Sequence, residues 1–162
     1  MHDEPIYFWK TSENPYGVFS QWATTPFIDP DTGTQYRTAE HYMMHQKALL
    51  FNDTAVATRI LRETRPITVK QLGQQVQGFS QHIWEQNRLS IVTRANLLKF
   101  EQDEQLKALL VGTGDQEIVE ASPYDRIWGI GFQAHKTSVR DRRRWGLNLL
   151  GRALMDVRAA LK

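Results

Sequence analysis

The sequence predicts a helix-dominated α+β fold in one domain, with a few short strands, and three observations lead there. Its 162 residues match the size at which a chain builds one continuous core. Hydrophobic residues make up 41% and charged residues 23%, with five Trp, five Tyr and seven Phe, which is ample core material and too much for a chain that stays unfolded. The pattern changes at residue 38, from aromatics broken by turn formers to long stretches with helical periodicity.

Residues 6–37 carry Asn14-Pro15, Pro26, Asp29-Pro30-Asp31 and Thr32-Gly33 among their aromatics, so short strands joined by loops are expected. Thr38 is a candidate N-cap for a helix over Ala39–Leu50, a stretch without Gly or Pro. Asp53 and Pro66 open helical patterns over 54–63 and 67–76, closing near Gly73 or Gly78. From 81 to 100, Trp84, Ile91, Ala95 and Leu98 share one face, and 103–111 adds Leu106, Leu109 and Leu110 as core positions. Gly112-Thr113-Gly114 stops that helix, Glu117–Glu120 reads as a short strand and Ser122-Pro123-Tyr124-Asp125 as a turn. A final helix over 144–161 is expected to bury Leu147, Leu150, Leu154, Val157 and Leu161. No repeat or linker divides the chain, so residues 1–162 are read as one domain.

The absence of cysteine removes a disulfide framework, an iron–sulfur cluster, a cysteine zinc site and a thiol nucleophile together. No apolar run reaches the roughly 18 residues that span a bilayer, and Met1-His2-Asp3-Glu4-Pro5 is acidic where an export leader would be basic, so a soluble, cytoplasmic protein without a membrane partner is expected. The net charge of +2 is too small to argue for nucleic acid by itself. Its distribution is uneven: 13 basic residues stand against 10 acidic ones in 82–162, with Lys136, Arg140, Arg142, Arg143 and Arg144 bunched where an anionic ligand would be at home. A charged loop of this kind is also commonly just solvated.

Glu40 and Lys47 are two helical turns apart and project from one face, about 10 Å apart along the axis. An acid and an amine flanking Met43 and Met44 can bracket a ligand; they can equally be solvated helix charges. His41 and His45 have the spacing of a metal pair, but the run Glu-His-x-x-x-His lacks the order of the zinc hydrolases and has no cysteine to complete it, so half-buried polar histidines are the default. Gly129-x-Gly131-x-x-Ala134 imitates a dinucleotide fingerprint too near the C-terminus for a βαβ unit. Trp128-Gly129-Ile130-Gly131 is instead a loop where glycine permits a close approach and the indole offers either a stacking face or a core plug. Asp125 is either a reactive carboxylate or a turn cap, and Tyr7, Phe8, Trp9, Phe19 and Trp22 build core, a stacking pocket, or both.

In order and spacing, these pieces resemble the NADAR (NAD- and ADP-ribose-associated), or YbiA-like, family from Ile6 to about Arg158. The blocks are Ile6-Tyr7-Phe8-Trp9, Phe19-Ser20-Gln21-Trp22, Thr38-Ala39-Glu40-His41-Tyr42 with Gln46-Lys47, Trp84 with Arg88, Leu98-Lys99-Phe100, Leu110 with Thr113-Gly114, Glu120-Ala121-Ser122 with Asp125, Trp128-Gly129-Ile130-Gly131, and Trp145 to Gly151 with Leu154-Met155 and Arg158. The sequence departs at Gln21, where the family commonly has Asn, and at Met43-Met44-His45.

The resemblance implies an N-glycosidase, a hydrolase of ribosylated bases: early phosphoribosylamino-pyrimidine intermediates of riboflavin synthesis, or ADP-ribosylated guanine, with nucleic acid entering only as a modified substrate. It implies Glu40, Lys47 and Asp125 as catalytic residues, and Phe8, Trp9, Ser20, Trp22, Trp128, Gly129 and Asn148 as substrate contacts. Cleaving a C–N glycosidic bond passes through an oxocarbenium-like state that wants a carboxylate by the anomeric carbon and a proton for the leaving base. A lysine with a lowered pKa can instead attack C1 and form a Schiff base. Neither route needs a metal or a redox cofactor. A non-catalytic ADP-ribose or nucleotide-binding module would use the same aromatics, and an RNA or DNA binder would use the arginine run with steep salt dependence.

Overall fold

The computed structural model describes residues 4–162. The first three residues of the acidic N-terminal stretch, on which the export argument drew, lie outside them. In chain order the elements are β1 (Ile6–Phe8), a 3₁₀ turn (Tyr16–Phe19), β2 (Phe27–Ile28), β3 (Gln35–Tyr36), α1 (Ala39–Leu50), α2 (Thr54–Arg62), α3 (Pro66–Gln74), α4 (Gln81–Glu101), α5 (Glu104–Gly112), β4 (Ile118–Glu120), two 3₁₀ turns (Thr137–Arg140 and Arg142–Arg144) and α6 (Leu149–Leu161). Helices dominate, as the periodicity predicts. Contacts sort the chain into two compact units: Gln21–Gln102, and the residues up to Ser20 with Asp103–Lys162.

In Gln21–Gln102 the helices start where local capping chemistry says they should. Thr38 Oγ1 accepts from His41 N at 3.0 Å, Asp53 Oδ1 from Val56 N at 3.1 Å and Ser80 Oγ from Ile83 N at 3.3 Å, each satisfying an amide that the helix itself leaves open. Pro66 occupies the first turn of α3, where its missing N–H costs nothing. α3 closes at Gln74, next to Gly73; a Cβ at Gly73 would strike the Sδ of Met44, so glycine is what lets α1 and α3 approach. The antiparallel β2–β3 hairpin turns at Gly33, whose φ of 75° favours glycine. Phe27, Tyr36, Ala39, Tyr42, Ala95 and Leu98 form the core where hairpin, α1 and α4 meet. Truncating a residue such as Leu98, 1% exposed, costs about 2–5 kcal/mol. α1 is buried from Ala39 to His45, so it is the central helix of the unit.

In the other unit β1 and β4 pair in parallel, Ile6 opposite Ile118 and Phe8 opposite Glu120. α6 packs on β4 and α5 on α6. Val119, Ile130 and Val139 form a core with Tyr7, Phe132 and Trp145 around it. Arg158, 7% exposed, holds the turn after α5 by donating from Nη1 to Thr113 Oγ1 at 2.9 Å and to the Gln116 carbonyl at 2.6 Å.

Two expectations are corrected. The last helix begins at Leu149, five residues later than the periodicity indicates, because 146–150 is tied to 126–130 by backbone bonds that a helix could not make: Gly146 to Ile130, Leu147 to Arg126, Asn148 to Gly129, Leu149 to Ile127 and Leu150 to Trp128. Leu147 is consequently 59% exposed and not a core residue. In α5 only Leu110 is fully buried; Leu106 and Leu109 are half-buried at the margin.

Candidate active site

Glu40 and Lys47 both lie on α1, and neither is the solvated charge that a surface helix would carry. Glu40 sits in the first turn, 7% exposed, where the helix dipole favours an anion. Its backbone N–H donates to the Gln21 carbonyl at 3.0 Å. Gln21 is itself buried, and its Oε1 accepts from Nδ2 of Asn96 on α4 at 3.0 Å. The turn that bears Glu40 is therefore held by the Thr38 cap and by a buried amide strut.

Lys47, two turns on, is half-buried in the last turn of α1. Its Nζ lies 4.8 Å from the ring centre of Phe79 and 5.6 Å from that of Trp84. Burial holds its pKa below that of a free lysine, against the opposing field of Glu40. A lowered amine pKa is what nucleophilic work at neutral pH requires.

The two histidines between them have separate structural partners. His41 Nε2 donates to the Ile60 carbonyl at 2.7 Å, and His45 Nδ1 bonds the Tyr36 hydroxyl at 2.7 Å. Burial pushes the Tyr36 phenol up to about 12 and both imidazoles below the usual histidine range, so the phenol donates to a neutral ring. Among the described residues no group of three or more His, Asp or Glu is arranged to hold a metal ion.

Within the other unit, Asp125 makes a tight turn: its Oδ1 accepts from Ile127 N at 2.9 Å and Trp128 N at 2.8 Å. This is the cap that turn chemistry anticipates, and it sets the half-buried Trp128. Gly129 is buried, and a Cβ there would lie 2.7 Å from the Glu120 carbonyl; the close approach that glycine permits is to β4 of its own chain.

Asn148 also serves β4. In the left-handed region at φ 51°, it accepts from Glu120 N through Oδ1 and donates to the Ile118 carbonyl through Nδ2, both at 3.0 Å. Those groups alternate with the ones that pair with β1, where Ile6 N reaches the Glu117 carbonyl and Ala121 N that of Phe8. The side-chain amide thus satisfies the outer edge of β4 as a neighbouring strand would. Both polar atoms of its side-chain amide are engaged in the fold.

Phe8 is 1% exposed, edge-on to Phe19 at 5.7 Å, and is core. Trp9 is half-buried, with Tyr124 at 5.8 Å and the Lys10 ammonium 4.9 Å from its ring. Both border a cleft of about 250 Å³ with Tyr7, Glu13, Gln133 and His135, beyond the carboxyl ends of the parallel pair. Ser20 is buried beside the first 3₁₀ turn and Trp22 is 37% exposed. In the arginine run, Arg142 pairs with Glu117 and covers Trp145 at 4.4 Å, Arg143 pairs with Asp141, and Arg144 lies over Phe132 at 5.4 Å. Most of that charge is thus engaged within its own unit. Phe79 is the residue that sequence reasoning missed, since nothing local links it to Lys47.

Fold and site together define a helix-dominated α+β chain with a buried acid and a desolvated amine on its central helix. Residues 7–162 match the NADAR domain, and the chain belongs to the NADAR family. It is 40% identical over 162 residues to N-glycosidase R617 of Acanthamoeba polyphaga mimivirus, covering 96% of this chain and 95% of that protein. With N-glycosidase YbiA of Escherichia coli it shares 33% identity over 161 residues, covering 99% and 91%. The NMR structure of E. coli YbiA superposes with a TM-score of 0.79 at 32% identity, covering 99% of this chain and 86% of that one. A riboflavin biosynthesis protein of Vibrio vulnificus, VVA0006, is 31% identical over 160 residues, which are 99% of this chain and 39% of that protein.

Proposed function

We propose that this chain, an N-glycosidase and so a hydrolase acting on N-glycosyl bonds, cleaves the bond between a ribosyl C1 and a nitrogenous base. The substrate class is a small ribosylated base, either an early phosphoribosylamino-pyrimidine of riboflavin synthesis or an ADP-ribosylated guanine. The riboflavin-related name of one relative supports the first, and a chain without cysteine fits work in the cytoplasm. The observation that carries the reading is the Glu40–Lys47 pair on α1, an acid at the dipole-favoured end and an amine with a lowered pKa two turns on.

In this reading Glu40 steadies positive charge as the C1–N bond breaks, and the departing base takes up the proton that the attacking amine gives up. The neutral Lys47 amine attacks C1 as the base leaves. The ribose ring then opens to a Schiff base, and water adds to that C=N bond to return the sugar aldehyde and the free amine. The test is to incubate the protein with ribosylated pyrimidines and ADP-ribosylated guanine, and to weigh free base by mass spectrometry. Base release that is lost in Glu40→Gln supports the assignment; no release from any of them overturns the substrate class.

A further inference from the structure

Lys47 has unusual surroundings for an amine near a helix end. Its amine has no partner among the ion pairs of the described residues, and aromatic rings stand where a carboxylate would. Phe79 lies just before Ser80, the cap of α4, and Trp84 is in the first turn of that helix. Phe79 is braced by Phe51 at 5.2 Å and 60°, and Phe51 is the C-cap residue of α1, the helix that carries Lys47. Both ends of this aromatic corner are thus fixed to capped helix termini. The amine itself sits on a flexible four-carbon stem, which needs such a guide to hold one position.

We propose that Phe79, together with Trp84, is a positioning residue of the glycosidase reaction: its braced ring holds the Lys47 amine in place by an apolar face and not by an ion pair. This rests on the reading of Lys47 as the reactive amine. An aromatic face attracts the ammonium form, and a bulky apolar neighbour excludes the water that would solvate that form. The first effect raises the amine's pKa and the second lowers it; the net direction here is down. Glu40 on the same helix is the charged group whose field opposes that fall, and α2, α3 and α4, which pack on α1, add no further charge to it among the described residues.

The two effects separate by substitution. Phe79→Leu keeps water out but removes the ring, so the Lys47 pKa falls by roughly half a pH unit more. Phe79→Ala lets water in, and the pKa rises toward that of free lysine. Phe79→Tyr preserves both effects and serves as the conservative rescue. Phe79 is 42% exposed, so the fold tolerates these changes. If the Ala variant does not fold, the Leu and Tyr pair still decides.

The readout is the pH dependence of Lys47 acylation by trace acetic anhydride, followed by peptide mapping, alongside the pH profile of base release. Opposite displacements in the Leu and Ala variants, with Tyr like the parent, support the proposal. A Lys47 titration unmoved by all three overturns it. If the titration moves as stated while Lys47→Ala releases base normally, the catalytic reading of Lys47 fails and takes the positioning role with it.

Discussion

Replacing Asn148 separates a structural from a ligand-binding role more sharply than any other change in the molecule. Asn148→Ala deletes two bonds of 3.0 Å to β4 and leaves the Glu120 N–H and the Ile118 carbonyl without them in a buried setting, at about 1–3 kcal/mol each. The φ of 51° adds about 1 kcal/mol, because a Cβ is disfavoured there and asparagine tolerates it best of the non-glycine residues. The sum is about 3–7 kcal/mol, a fall in Tm of roughly 6–28 °C for a chain of this size. Asn148→Gly loses the same bonds but not the left-handed preference, so it should be about 1 kcal/mol less damaging than Ala. Urea unfolding of the three proteins, monitored by tryptophan fluorescence, measures both differences. A destabilisation below about 1 kcal/mol in the Ala variant, with a large rise in KM, would refute the edge-satisfying role and restore a substrate contact.

Glu40→Gln is nearly isosteric and should fold normally while kcat for base release drops about a hundredfold or more, read in a single-turnover assay. Lys47→Arg should be inactive, and borohydride added during turnover should trap a sugar adduct at Lys47 by peptide mapping; an unmodified Lys47 in an active enzyme would exclude the covalent route. Because only the neutral amine attacks and its pKa is lowered, base release should rise with pH along a limb that lies below the titration of free lysine. His41 and His45 have folded pKa values below that of a free imidazole. As pH falls through about 6.5 the unfolded chain therefore takes up protons first, so stability should decline until pH passes the folded values. Chemical denaturation at a series of pH values should show that slope, reduced in His45→Gln.

How far the sequence reveals the structure depends on the range of the interaction concerned. Thr38, Asp53 and Pro66 mark helix starts by chemistry completed within three residues, and those starts are legible. The start of α6 is not, because the bonds that unwind 145–148 come from 126–130, and no local periodicity records them. The same is true of the β1–β4 pairing, and of Asn148, whose partners Ile118 and Glu120 lie far back in the chain. In the candidate site, the spacing of Glu40 and Lys47 is readable from helical geometry, but their burial is not. It follows from α1 being packed by three other helices, and the ring beside Lys47 comes from the loop between α3 and α4.

The splice between 126–130 and 146–150 makes the loop that carries Trp128 part of a helix terminus. The first amides of α6, normally left to solvent or an anion, are closed by loop carbonyls from Ile127 and Trp128. Loop and helix start should therefore behave as one foldon: in hydrogen–deuterium exchange, the amides of Gly146 through Leu150 should open together, at the pace of the helix and not of a surface turn. Warming that frays the first turn of α6 would release the indole in the same event, coupling the mobility of Trp128 to the last helix of the chain.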